Sequence, residues 1–361
     1  MKNKTVCFFN SNKVWGGGEK WHYDTALFFR KEGYKVLVAT NKKSELFERI
    51  KKTGISAYQI KIGNLSLLNI FKIIKISRLL KTNNVDCIIL NLPSDVKSAG
   101  IAAKIARVKK IIYRRGLAVP VRNTFINRFL FRKIITTIIA NSKEIKRTIL
   151  HYPELVPEDK ICVIYNGIEP KNYNPVPGKK IYTKRSNEIV LGNVGRLVEQ
   201  KGQKYLIEIA RMLKEAGTNF KMLIAGNGKL ESVLKQLADR LEVNEHVQFI
   251  GFVKDIKTFI DSIDVFLLSS LHEGSANILI EVMAYQKPIV AFNISSNPEI
   301  IENGKTGFLV NFPDIKDFTE KTIFLMRNEK RREQFGKAGR IRVKNLFDQN
   351  RNLQELLELI K

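Results

Sequence analysis

Short apolar runs alternate along this chain with longer stretches of helical periodicity. In the first half the apolar runs are Thr5–Asn10, Lys35–Thr40, Ile55–Ile60, Cys87–Asn91, Lys110–Arg114, Thr137–Ala140 and Ile161–Tyr165. Helical patterns fill most of the gaps between them, beginning with Glu19–Lys31. In the second half Glu188–Asn193, Phe220–Ala225, Val247–Ile250, Val265–Leu268 and Pro288–Ala291 read as strands. Helices are expected over Gln203–Ala216, Lys229–Arg240, Asp255–Ser262, Ala276–Tyr285, Asp314–Arg327, Lys330–Asn345 and Gln349–Ile360. Apolar runs without a polar alternate position suit strands buried on both faces, and strand–helix alternation predicts parallel sheets covered by helices.

The pattern breaks once. Val156–Arg185 carries Pro157, Pro170, Pro175, Pro177 and Gly178, with little periodicity after Ile168. Such punctuation marks a domain junction. The fold class is therefore α/β with two similar domains. We expect a first domain over 1–170, a linker over 171–185 and a second domain over 186–345. A C-terminal helix, 346–361, is expected to pack back on the first domain. A length of 361 residues accommodates two ordinary domains.

Charge separates the halves. The formal net charge is +27. Residues 1–180 hold 35 Lys and Arg against 12 Asp and Glu, whereas residues 181–361 hold 27 against 23. A polyanionic partner is thus expected on the first half alone: a membrane surface, an anionic lipid or glycan, or nucleic acid. Cys7, Cys87 and Cys162 each sit in an apolar run and read as small buried residues of a reducing compartment. Four scattered histidines give no metal-ligand spacing, so no structural metal is expected. No signal peptide is visible, and no run is long and apolar enough to span a bilayer.

Three stretches carry chemistry. Gly195–Gly202, GRLVEQKG, follows the first strand of the second half. Its glycines let backbone approach a ligand, and Arg196 and Lys201 offer a fork and a point charge for a diphosphate. The alternative is a basic surface loop. Ser269–Ala284, SSLHEGSANILIEVMA, holds Glu273 in a small-residue loop and Glu281 on the helix that follows. The two could form a general acid/base pair, but an ionised carboxylate accepting two O–H bonds from a vicinal diol fits them better. Asn10–Glu19, NSNKVWGGGE, opens a helix with Gly16, Gly17 and Gly18, whose N–H groups can cradle a phosphate. Taken alone, that loop reads as a flexible surface turn.

These residues resemble the GT-B-fold retaining glycosyltransferases of family 4. Gly195–Gly202 is similar to the family's GRLxxxKG signature, and Glu273 to Glu281 to its E-x7-E motif. Gly16-Gly17-Gly18-Glu19 resembles its first glycine loop. Ala140-Asn141-Ser142, Asn166-Gly167-Ile168, and Pro298-Glu299-Ile300-Ile301 with Thr306-Gly307-Phe308-Leu309 resemble further landmarks. The resemblance implies two Rossmann-like domains facing across a cleft. It implies transfer of a sugar from a nucleotide-diphosphate donor, UDP by default, to a hydroxyl with retention and without a divalent metal or other cofactor. Arg196 and Lys201 would hold the diphosphate, Glu281 the ribose and Glu273 the donor sugar. Backbone of Gly195, Gly202, Gly274, Ser275, Ala276, Asn277 and Leu279 would lie along the donor, and Gly16–Gly18 would close over the phosphates. The implied transition state is oxocarbenium-like, so neutralising the departing diphosphate is the main task.

The chain departs from the family at Ser275 and Ala276, where a bulky residue and a Pro are usual. It also lacks a first-domain histidine near the donor sugar. The corresponding run is Ile112-Tyr113-Arg114-Arg115-Gly116, which makes Arg114 and Arg115 candidates on the acceptor or donor-sugar side. His22 reads as a surface or packing residue. Two basic, apolar segments, Leu65–Lys81 and Arg122–Lys133, fit a helix lying on an anionic membrane, or else pack on the sheet with solvated charges.

The expected function is a glycosyltransferase building a cell-surface polysaccharide or glycolipid, cytoplasmic and peripheral on the inner membrane face. The expected partners are a nucleotide-sugar, a glycan or lipid-linked acceptor and an anionic membrane, with no nucleic acid. The alternatives are another sugar-nucleotide enzyme on the same fold, an epimerase or hydrolase, and a non-enzymatic membrane- or polyanion-binding protein.

Overall fold

The computed structural model describes residues 4–63, 66–169, 180–274 and 276–361. Its contacts divide the chain into two units, Met1–Asn166 with Asn350–Lys361, and Gly167–Gln349.

The first unit holds a seven-stranded sheet of order β3-β2-β1-β4-β5-β6-β7. Its strands are β1 Thr5–Asn10, β2 Lys35–Thr40, β3 Ser56–Gln59, β4 Val85–Leu90, β5 Lys110–Arg115, β6 Thr137–Ala140 and β7 Ile161–Val163. Every pairing is parallel. All six positions of β1 are buried. Cys7 and Phe9 enter one apolar core, and Val6 and Phe8 enter the other. A strand with a core on each face has no solvent side, so its sequence shows no alternation. The helix Gln349–Ile360 supplies Leu353, Leu356, Leu357 and Ile360 to the Val6/Phe8 core. Their spacing is that of one helical face.

One expected helix is corrected. The run Leu65–Lys81 is helical only over Ile70–Thr82, after a separate short turn at Ser66–Leu68. The Asn69 side chain accepts the Lys72 N–H and caps the helix there. Leu65 lies outside the described residues.

The second unit holds a six-stranded sheet of order β10-β9-β8-β11-β12-β13. Its strands are β8 Ile189–Val194, β9 Phe220–Ala225, β10 Val247–Gly251, β11 Val265–Leu268, β12 Ile289–Phe292 and β13 Gly307–Val310. They too pair in parallel. The edge strand β13 was not expected. It is four residues long and opens on Gly307, which carries no β signal. Gly307 is required there, because a Cβ would stand 2.6 Å from the Ile289 carbonyl oxygen.

Most of the expected linker, including Pro175, Pro177 and Gly178, lies outside the described residues, as does Pro170 before it. Residues 180–185 lie on the second unit. The Ile181 N–H donates to Ser262 Oγ at 2.9 Å, and Lys184 pairs with Asp264 at 2.9 Å.

Both units are Rossmann-like α/β layers. Each sheet grows outward in two directions, from β1 and β4 in the first and from β8 and β11 in the second. The loops leaving those neighbouring strands diverge to opposite sides, and such a switch point is where parallel α/β sheets bind ligands.

Candidate functional site

The second switch point is built from backbone. After β8 the Gly195 N–H donates to the Ala225 carbonyl at 3.0 Å, and the Leu197 N–H to the Asn227 carbonyl at 3.0 Å. The approach leaves no room for side chains. A Cβ on Gly226, whose φ is +136°, would stand 1.9 Å from the Gly195 oxygen, and one on Gly228 would stand 2.2 Å from the Leu197 oxygen. The same loop is tied to the segment after β11. The Leu271 N–H donates to the Gln200 carbonyl at 2.8 Å, and the Gln200 side chain to the His272 carbonyl at 3.0 Å. Gly202, at φ +61°, would place a Cβ 2.2 Å from the Ser269 oxygen.

This framework brings Lys201 and Glu273 together across 72 residues of chain. Lys201 Nζ stands 2.6 Å from Glu273 Oε1. The side chains are 19% and 8% exposed, so the pair is sheltered but reachable from solvent. The Glu273 N–H donates to Ser295 Oγ at 3.2 Å. A cation and a carboxylate held this way can exchange each other for a ligand's anionic and hydroxyl groups.

Arg196 is on the same loop and exposed, with its carbonyl held by the Gln203 side chain at 3.1 Å. Gly195, Gly274 and Asn277 are partly exposed and Ala276 is buried. Glu281 is partly exposed on the helix Asn277–Ala284. Leu279 is fully buried, so its side chain faces the core. Ser275 lies outside the described residues. Gly226 and Gly228 were missed by sequence reasoning, although Ala225-Gly226-Asn227-Gly228 directly after a strand is a readable signal for close backbone approach.

The first switch point is different. Gly16 and Gly17 are exposed, Gly18 is partly so, and the helix Gly17–Lys31 starts at this loop. Behind them the charge is hidden. Glu19 is buried, and its Oε1 accepts the side-chain amides of Asn10 at 3.1 Å and Asn91 at 3.4 Å. Asp95, fully buried, accepts the Leu92 N–H at 2.9 Å and the Ser11 N–H at 3.3 Å on Oδ2. Its Oδ1 has no partner among the described residues, and burial pushes its pKa up to about 6.

Arg114 and Arg115 are both buried and point to opposite faces of β5. Arg114 donates to Asn166 Oδ1 at 2.9 Å and lies 5.0 Å over the Trp21 ring, on the Glu19 side. Burial brings its pKa down to about 10. Arg115 donates to the Tyr113 hydroxyl at 3.3 Å and to the Val119 carbonyl. His22 is a packing residue, not a surface one: fully buried, it meets the Phe8 ring edge-on at 5.8 Å. Burial, helped by Arg114, pulls its pKa down to about 3, so it is neutral. Among the described residues no group of three His, Cys, Asp or Glu is placed to hold a metal.

Comparison with known proteins covers both units. The family model described as "Glycosyltransferase Family 4" matches residues 15–172, and that described as "Glycosyl transferases group 1" matches residues 178–342. The capsular polysaccharide biosynthesis glycosyltransferase CapM of Staphylococcus aureus is 32% identical over 230 residues, which is 61% of this chain and 60% of that protein. The chain spans about half the length of the other curated relatives first matched.

Among solved structures, a glycosyltransferase from Rickettsia africae superposes with a TM-score of 0.87 at 21% identity, covering 99% of this chain and 98% of that one. Anabaena HepE, solved in complex with UDP and glucose, superposes with a TM-score of 0.83 at 20% identity, covering 99% of each chain. At such identities the superpositions speak for the fold, and the fold is that of two-domain α/β glycosyltransferases. The chain resembles GT-B glycosyltransferases in both halves.

Proposed function

From that resemblance we propose that this protein is a retaining glycosyltransferase. It moves a sugar from a nucleoside-diphosphate donor, UDP by default, to a hydroxyl of a glycan or lipid-linked acceptor in cell-surface polysaccharide synthesis. The observation that carries the reading is the sheltered Lys201–Glu273 pair at the switch point of the second sheet. A ligand offering a diphosphate and a hydroxyl-bearing ring beside it satisfies both partners at once.

In this reading the anomeric C–O bond to phosphate breaks and its electron pair leaves on the diphosphate. Lys201 and Arg196 receive that charge, a task that needs no divalent metal. Glu273 turns from Lys201 to the donor sugar's hydroxyls, and Glu281 holds the ribose diol through two O–H bonds. The acceptor oxygen forms the new bond on the face the diphosphate leaves, and its proton passes to the departing phosphate oxygen. No helix among the described residues is long and apolar enough to cross a membrane. The place we assign the protein, on the cytoplasmic membrane face, thus rests on the basic charge of residues 1–180.

The test is a thermal-shift screen of sugar nucleotides, followed by transfer from the stabilising donor to added acceptors. Stabilisation by one donor, lost in Glu281→Ala and Lys201→Ala, is expected. No stabilisation by any donor, or full turnover in Lys201→Ala, would sink the proposal.

A further inference from the structure

Beside the first switch point, where the stretch after β4 meets the end of β5, the first unit contains a cavity of about 240 Å³. Its walls are apolar and include Val96, Tyr113, Leu130 and Phe131. Three cations line it, Lys97, Arg115 and Arg122, and no carboxylate does. Arg115 is itself 4% exposed, and its Nε has no hydrogen-bond partner among the described residues. Its other nitrogens donate to the Tyr113 hydroxyl and the Val119 carbonyl, but no carboxylate among the described residues pairs with it, and an incoming anion would satisfy its charge.

The mouth of the cavity is apolar too. Leu117 and Val119 line it, yet are 57% and 46% exposed. Beside them the helical turn Phe125–Phe129 sends Asn127 to the cavity and leaves Phe125 and Phe129 exposed. The stretch Val96–Gly100, which contributes Val96 and Lys97, packs against both Leu130–Ile134 and the turn Ser66–Leu68. That second neighbour carries exposed Leu68 and, just after it, exposed Ile70 and Phe71. Exposed aromatic and aliphatic side chains therefore flank a cavity that is apolar inside and cationic at its polar points.

We propose that this cavity takes the phosphate of a single-chain lipid from a bilayer. The phosphate lies on Lys97, Arg115 and Arg122, and the first part of the hydrocarbon chain lies against Val96, Leu130 and Phe131. Phe125, Phe129 and Phe71 enter the bilayer around it. Charge complementarity selects an anion, and the apolar walls select an amphiphile over free phosphate. The volume is below the roughly 300–1,000 Å³ of sites that enclose a whole small molecule, so most of the chain stays in the membrane. The inference deepens the glycosyltransferase reading by naming the acceptor's carrier, and it rests on that reading for this role alone.

The test is co-sedimentation of the full chain with phosphatidylcholine vesicles carrying either an isoprenyl monophosphate or phosphatidylglycerol at matched surface charge. Binding to the isoprenyl phosphate vesicles is expected to be tighter by about tenfold, the scale of one to two phosphate-facing cations. In Lys97→Glu/Arg122→Glu that preference disappears. Phe125→Ser/Phe129→Ser weakens binding to both vesicles but keeps thermal stabilisation by soluble octyl phosphate. Equal binding to the two charged vesicles overturns the proposal. So does an unchanged preference in the charge-reversed variant, or equal stabilisation by inorganic phosphate and octyl phosphate. Sugar-nucleotide stabilisation of the same variants shows that they are folded. It also reports on the donor reading separately, so a failure of the lipid arm is distinguishable from a failure of the function.

Discussion

The two sheets share one plan, but their switch points handle charge in opposite ways. In the second unit Lys201 and Glu273 neutralise each other where solvent reaches them. Each is the other's partner at 2.6 Å, and a ligand that offers both an anion and hydroxyls replaces both partners at once. In the first unit Glu19 and Asp95 are buried and held by amides and backbone N–H groups. Those carboxylates shape the loops after β1 and β4 and are not available for exchange. The same topology thus yields a charged docking point in one unit and a braced loop in the other. The difference is whether the acidic residue stands in the loop, as Glu273 does, or in the helical stretch behind it, as Glu19 and Asp95 do.

The sharpest way to break this contrast is to remove the cation. Lys201→Ala is expected to lower kcat/KM for transfer by about 10²–10³, the scale of losing one preorganised charge partner of a leaving group. Asp95→Asn is expected to cost less than about tenfold, because its role is to brace the loop. Steady-state kinetics on both variants decides it, and a larger loss in Asp95→Asn would reverse the comparison.

The next effect is on stability against pH. The folded pKa of Asp95, about 6, lies above its ordinary 3.8. The folded state therefore keeps a proton that the unfolded chain has released, and stability falls as pH rises from about 4 through 6. The shift corresponds to roughly 3 kcal/mol. His22 works in the other direction. Its pKa of about 3 lies below the ordinary 6.5, so its contribution is present above pH 6.5 and lost as pH falls towards 3. In the wild type the two slopes oppose each other between about pH 4 and 6. Denaturant unfolding across that range should show Asp95→Asn losing stability more steeply on acidification, and His22→Leu less steeply. Parallel curves for all three proteins would refute the assignment.

Glycine substitutions make the smallest pair. Gly202→Ala meets both a left-handed φ and the Ser269 oxygen at 2.2 Å, and is expected to destabilise the second unit by about 2 kcal/mol or more. Gly18→Ala meets only the Asn91 side-chain amide at 3.1 Å, which can shift, so about 1 kcal/mol or less is expected. Unfolding midpoints measure both.

Much of this was legible in the sequence, for identifiable reasons. β1, β2, β6, β9 and β11 fall on the apolar runs to the residue, because strands buried on both faces have no polar position to blur them. The run 65–81 misled because apolar periodicity continues through Ser66–Leu68, while the break is made by one Asn69 side chain. The spacing of Arg196, Lys201, Glu273 and Glu281 pointed to the second switch point, but not to the pairing of Lys201 with Glu273. That contact depends on the β8–β11 neighbourhood, which no local pattern encodes. The burial of Asp95, Arg115 and His22 was illegible for the same reason: each looks like an ordinary polar residue near the end of a strand or on a helix.

One consequence concerns synthesis. The helix Gln349–Ile360 belongs to the first unit from Asn350 onward, yet that stretch follows every residue of the second. While the ribosome is still translating the second sheet, the Val6/Phe8 core lacks Leu353, Leu356, Leu357 and Ile360. The half translated first is therefore completed last, and the second sheet can close while that core is still partly open to chaperones.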